Sequence, residues 1–195
     1  MTLHVSTLVT ELRKFGDEKF SGFTGFPSSK ADAKTAWTNA YDLYAATAID
    51  ISGDFIVTGS ANAAGFKNSL SFDTGGTSSS AAADFDAAFV AYWTGAVFAV
   101  GIIPPPAGTC PNVGGTSTFG VETTSVVSAI TPDVLKTKLL SVLNAPASDA
   151  HAQIQLIAQA FHEATMESVT VLITGTDTTP TPAGPLPITN TCGIS

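Results

Sequence analysis

Charge is what this sequence has least of. Asp, Glu, Lys and Arg make up 12% of its 195 residues, roughly half the share usual in soluble domains. A monomer surrounded by water needs more charge than that to cover its surface, so the composition suits a subunit whose flanks are covered by neighbours. Positive charge is scarcer still. Lys and Arg number 8 against 16 Asp and Glu, the net charge is −8, and Arg13 is the single arginine. Nucleic-acid affinity comes mainly from Lys and Arg neutralising phosphates, so the sequence argues against any sequence-specific nucleic-acid partner. The lysines lie mostly before residue 68, leaving the rest almost purely acidic. Near DNA, such a surface would line a passage that repels it.

Cysteine is nearly absent as well. Cys110 and Cys192 stand in the Pro/Gly/Thr-rich stretches PAGTCPNVGG and PITNTCGIS, with no CxxC pair and no histidine cluster beside them. That spacing argues against a metal site. Two readings stay open: a disulfide stapling loops, within or between subunits, or two free thiols. The geometry that a bridge requires is not written in a sequence.

Catalytic patterns are missing too. The histidines are His4, His151 and His162. His162-Glu163 begins an HExxH pattern, but Met166 stands where the second histidine belongs. His162 beside Glu163 and Glu167 reads first as a solvated helix face and second as a pH-sensitive group. No serine sits in a G-x-S-x-G elbow, and no phosphate-cradling glycine loop is present. Asp73-Thr74-Gly75 resembles half of an aspartic-protease site, but the second half is absent. The carboxylate pairs Asp84/Asp86 and Asp17/Glu18 lack a setting for acid–base work. The expectation is a protein without catalytic residues, cofactor or metal. The N-terminus, MTLHVSTLVTELRKF, has charges within its apolar pattern and no small-residue cleavage site, so it does not read as a signal peptide.

What the sequence does have is one long uncharged stretch, Ala87 to Ile103, carrying Phe89, Tyr92, Trp93 and Phe98. Either protein or lipid must cover it. Thr94-Gly95 interrupts the run, and the nearest basic residues are Lys67 and Lys136, so nothing anchors it at a membrane surface. The reading is a buried helix with Phe89 and Trp93 in the core, followed by an extended segment over 97–103. Other helices are expected over 5–20, over 30–48 with Ser29 as N-cap, and over 61–70. Two more follow: one entered through Thr131-Pro132-Asp133, with Thr131 as cap, and one capped at Ser148-Asp149. DTGGTSSS, 73–80, reads as flexible linker. Strands are expected over 121–130 and 168–174, and a further one within 49–58.

The fold class expected is therefore α+β, with four to five helices packed on a small sheet in a single globular domain, 1–175. Residues 176–195 are expected to form an extended arm. Pro180, Pro182, Pro185 and Pro187 bias this arm against regular structure, while Leu186, Ile188 and Ile194 keep apolar points along it for docking on a neighbour.

The cadence FTGFP (23–27), AWTNAYDLYAAT (36–47), AFVAYWTGAVF (88–98) and IAQAFHEAT (157–165), followed by a Val/Thr strand and a Pro/Thr-rich end, resembles the small structural proteins encoded among the head, neck and tail genes of tailed bacteriophages. The resemblance covers most of the chain as an alanine/aromatic rhythm and carries no site residue across. It implies a non-enzymatic virion subunit in an oligomeric ring at the head–tail neck, with its own copies and neighbouring virion proteins as partners. A capsid decoration or tail-associated protein is the alternative within that class. A secreted or surface binding module held by a Cys110–Cys192 disulfide is the alternative outside it.

Overall fold

A computed structural model of the chain describes residues 3–50, 54–72, 76–100, 119–177 and 187–194. Helix α1 spans Val5–Gly16 and buries Leu8 and Leu12, while Glu11 and Lys14 pair with each other at 2.6 Å. It ends four residues before the expected stop. Asp17 leaves the helix in an extended conformation and turns back to accept Arg13 Nε at 2.8 Å and the Lys19 amide at 3.0 Å. A buried carboxylate with those two donors closes the turn more favourably than another helical turn would.

Helix α2, Lys30–Ala45, starts where the sequence placed it, with the Ser29 hydroxyl accepting the Asp32 amide. Helix α3, Ala63–Ser69, is capped by Asn62 through the Gly65 amide at 2.7 Å. Helix α4, Ser78–Trp93, begins inside the expected linker. Thr77 accepts the Ser80 amide, so three consecutive serines form the first turn. The sequence signal was misread because Ser and Thr favour both loops and helix starts.

Gly95, at φ +76, turns the chain out of α4, and residues 96–99 run extended as expected. Strand β1, Phe119–Ile130, follows. Helix α5, Val134–Asn144, begins later than its sequence signal: Thr131 does not cap it, and Asp133 sits left-handed at φ 62 without a side-chain cap of its own. The missing cap comes from α4. The Asp86 carboxylate accepts the Lys136 amide at 3.2 Å and the Asp133 amide at 3.3 Å. Helix α6, Ala150–Ser168, is capped by Asp149 on the Ala152 amide at 2.8 Å and passes directly into strand β2, Val169–Asp177.

Residues 187–194 depart from the expectation of an irregular arm. Pro187–Gly193 forms strand β3, antiparallel to β2, and Ile194 is buried at 3% exposure within the core. Pro187 is tolerated as the first residue of a terminal strand, and the Thr-rich stretch after it is β-favouring. The expected boundary at 175 thus falls inside β2. The overall class is α+β as expected, with six helices among the described residues rather than four or five.

The sheet has the order β1-β2-β3. Isolated bridges extend it beyond β1: Val97 pairs with Val126, Ile56 with Phe98 and Ile49 with Phe55, all antiparallel. The segments 96–99 and 55–57 therefore continue the same surface, where the sequence placed strands. The helices cover one face, burying Ile56, Phe98, Val127, Val171 and Ile173 in the common core. At the centre of that core Tyr41 stacks on Phe66 with centroids 5.0 Å apart. Its hydroxyl accepts Trp93 Nε1 at 2.7 Å and lies 3.3 Å from the Thr165 hydroxyl. Phe89 and Trp93 are buried, as the uncharged run predicted.

Candidate functional site

The feature that stands apart from this packing is the other face of the sheet. Side chains alternate across a strand, so the neighbours of the buried residues point away from the helices. Bridges and register align them in two rows. One runs Val57, Val97, Val126, Leu172; the second runs Phe55, Ala99, Thr124, Thr174. The backbone bonds Val57 N to Val97 O at 2.8 Å and Ala99 N to Phe55 O at 2.9 Å fix the first two columns. The register of β3 continues the rows to Thr191 and Thr189.

None of these eight residues carries a charge. Phe55 is 47% exposed, Val57 43% and Val97 39%, while Val126 and Leu172 are half-buried by their flanking neighbours. Val100, just beyond Ala99, is exposed as well. Two polar contacts are described on this face: the Thr124 and Thr174 hydroxyls lie 2.6 Å apart, and Ser128 Oγ donates to the Thr170 carbonyl at 3.3 Å. Behind the face, the buried Asp50 accepts the Ser125 hydroxyl at 2.6 Å and the Asp54 amide at 3.1 Å. That carboxylate links Asp54, just before Phe55, to β1.

The groups that sequence reading considered for chemistry go elsewhere. Asp86 caps α5, and Asp84 accepts the Ser71 hydroxyl. His162 Nδ1 is 2.9 Å from the Tyr44 hydroxyl, and partial burial holds its pKa below the ordinary histidine value against the opposing pull of Glu163. Glu163 and Glu167 both accept Lys138 Nζ, at 3.0 and 2.8 Å. The hydrogen bonds from Gln159 and Lys138 keep the Glu163 carboxyl below its usual range. A cavity of about 250 Å³ between α1, the 24–27 turn and α2 is lined by Glu11, Lys14 and Asp32, but its lysine is already paired with Glu11.

Cys110, Asp73 and Leu186 lie outside the described residues. Register sets Cys192 opposite the buried Val171 and Ile188 opposite Gly175, and Ile194 belongs to the core. Of the candidate arm residues, Ile188 and Ile194 are therefore not on the outer rows. Among the described residues no group of three or more His, Cys, Asp or Glu is placed to hold a metal, and no helix is long and apolar enough to cross a membrane.

No protein-family model, curated protein or solved structure matches this chain. The outer rows are thus judged on their own chemistry. Sequence reading missed them as a site because it looked for docking points in the tail. The available signal was that Phe55-Ile56-Val57 and Val97-Phe98-Ala99 are apolar on both parities, as in strands covered on both faces.

Proposed function

We propose that this chain is a non-enzymatic structural subunit of a tailed-bacteriophage virion, part of the oligomeric neck that joins head to tail. Its partners are its own copies and neighbouring virion proteins; it has no membrane and no nucleic-acid sequence to recognise. One observation carries the reading. Two uncharged rows cross four neighbouring strands in a chain of net charge −8, and they face away from its only described core. Depletion of charge with exposed apolar side chains is the mark of the centre of a protein–protein contact. The phage-like cadence of the helices supports the virion setting, and the acidic balance suits a passage for DNA.

Purified particles test it. Peptides of this chain should be found in them by mass spectrometry, and loss of the gene should leave filled heads and free tails that do not join. Complete particles lacking only a surface layer would instead identify a decoration protein. Absence of the chain from purified particles would end the virion reading.

A further inference from the structure

We propose that before assembly two copies of this chain pair face to face through the outer sheet rows, with Val57, Val97, Val126 and Leu172 of each copy at the centre. The inference rests on reading that face as an assembly surface and names its first occupant.

The choice of a second copy follows from the distribution of charge. With a net charge of −8, copies repel one another wherever they present acids. The helical side does so: Glu163 and Glu167 share one lysine, Lys138, and Asp42 and Asp149 are exposed as well. The outer rows present no ionisable side chain, so two copies meet there without opposing like charges. A partner selected by its charge finds nothing to read on the same rows. Shape agrees with this choice. Face-to-face sheets pack about 10 Å apart with their strands within about 30° of each other, and both inner faces interdigitate. The Val/Leu row supplies branched side chains for such a contact. Ala99, beside Val97 and Phe55, leaves a recess where a protruding side chain fits.

A face-to-face pair is isologous and closes on itself. It therefore is not the contact of a ring that distinguishes a head side from a tail side. The pair keeps the apolar rows dry while the subunit waits, and incorporation exchanges the second copy for the neighbour in the particle. Assembly is then coupled to subunit concentration by mass action.

Sedimentation velocity on the full chain tests this over about a hundredfold range of concentration. The expected result is a monomer–dimer equilibrium that salt does not weaken, since no ion pair holds it. Val97→Glu should raise the dissociation constant at least about 100-fold, because it sets two buried like charges into the contact. Leu43→Glu, on exposed α2, should leave it unchanged. Circular dichroism and Trp93 emission show that both variants are folded.

A wild-type chain that stays monomeric overturns the proposal, as does a dimer indifferent to Val97→Glu or one dispersed by salt. The virion reading stands or falls separately, on whether the wild-type chain is found in purified particles.

Discussion

Val97 and Phe98 are neighbours in one strand, and they live in different surroundings. Phe98 enters the core and is 1% exposed; Val97 faces away and is 39% exposed. The same division runs through β1 and β2, where Val127, Val171 and Ile173 are covered while Val126 and Leu172 are only half-buried. The side chains on the two faces are of similar type, so the sheet's chemistry does not say which face is inside. The helices decide it, by covering one face and leaving the other uncovered by the described elements. Apolar residues on both parities are the ordinary pattern of strands with two covered faces. The strand over 96–99 has that pattern with one described cover, which is the ground for the contact proposed on its outer face.

Removing the end of the covered layer should have the largest effect. A chain ending at Asp177 loses β3 and Ile194, and leaves β2 with an unpaired edge. Its thermal midpoint should fall further than for any single substitution below, measured by circular dichroism. A truncated chain that melts normally would show that the tail is an appendage and that the covered face does not depend on it.

Phe98→Ala should cost about 3–5 kcal/mol in urea unfolding, as truncation of a buried aromatic does. Asp86→Ala comes next. It strips the α5 amides of their only described cap and should cost about 1–2 kcal/mol, with Asp86→Asn keeping part of that. An Asp86→Ala protein as stable as the parent would mean that α5 is held by its packing alone.

Acid should have a smaller effect. The folded pKa of His162 lies below its unfolded value, so the folded state binds fewer protons there. Its stabilising contribution is complete above the unfolded pKa, near 6.5, and declines as pH falls through and below that value. Glu163, whose carboxyl is also depressed, adds a loss in the same direction at lower pH. Midpoints measured from about pH 7 to 5 should fall for the parent, and less steeply for His162→Gln. Parallel curves for the two proteins would remove His162 from the account.

The smallest effect is expected at Val97→Ala. It should change the stability of the chain by less than about 1 kcal/mol, a fraction of the cost at Phe98. An equal cost at both positions would erase the distinction between the two faces.

What could be read from the sequence was what neighbouring residues decide between themselves. Ser29 and Asp149 cap helices through amides three residues away, and both caps were visible. Phe89 and Trp93 announced their burial by the absence of charge around them. What was missed depends on residues far apart in the chain. Thr131-Pro132-Asp133 looked like a complete helix start, but the cap is Asp86, 47 residues before Asp133. β3 was hidden because its partner strand, not its composition, makes Pro187–Gly193 regular. The outer rows were hidden in the same way. A row exists only after four separate segments have been set side by side.

The junction of α6 with β2 has a mechanical consequence. Helix and strand meet at Ser168 and Val169 without a loop, and the Thr131 amide at the end of β1 is bonded to the Ser168 carbonyl at 3.0 Å. A pull along β2 therefore has no slack to take up before it reaches the 19-residue helix and its buried side. Force along the strands shears many backbone bonds of β1 and β3 at once, whereas force normal to the sheet peels them one at a time. The domain is stiff in one direction and yielding in another, so the direction of a load sets how much tension the domain transmits.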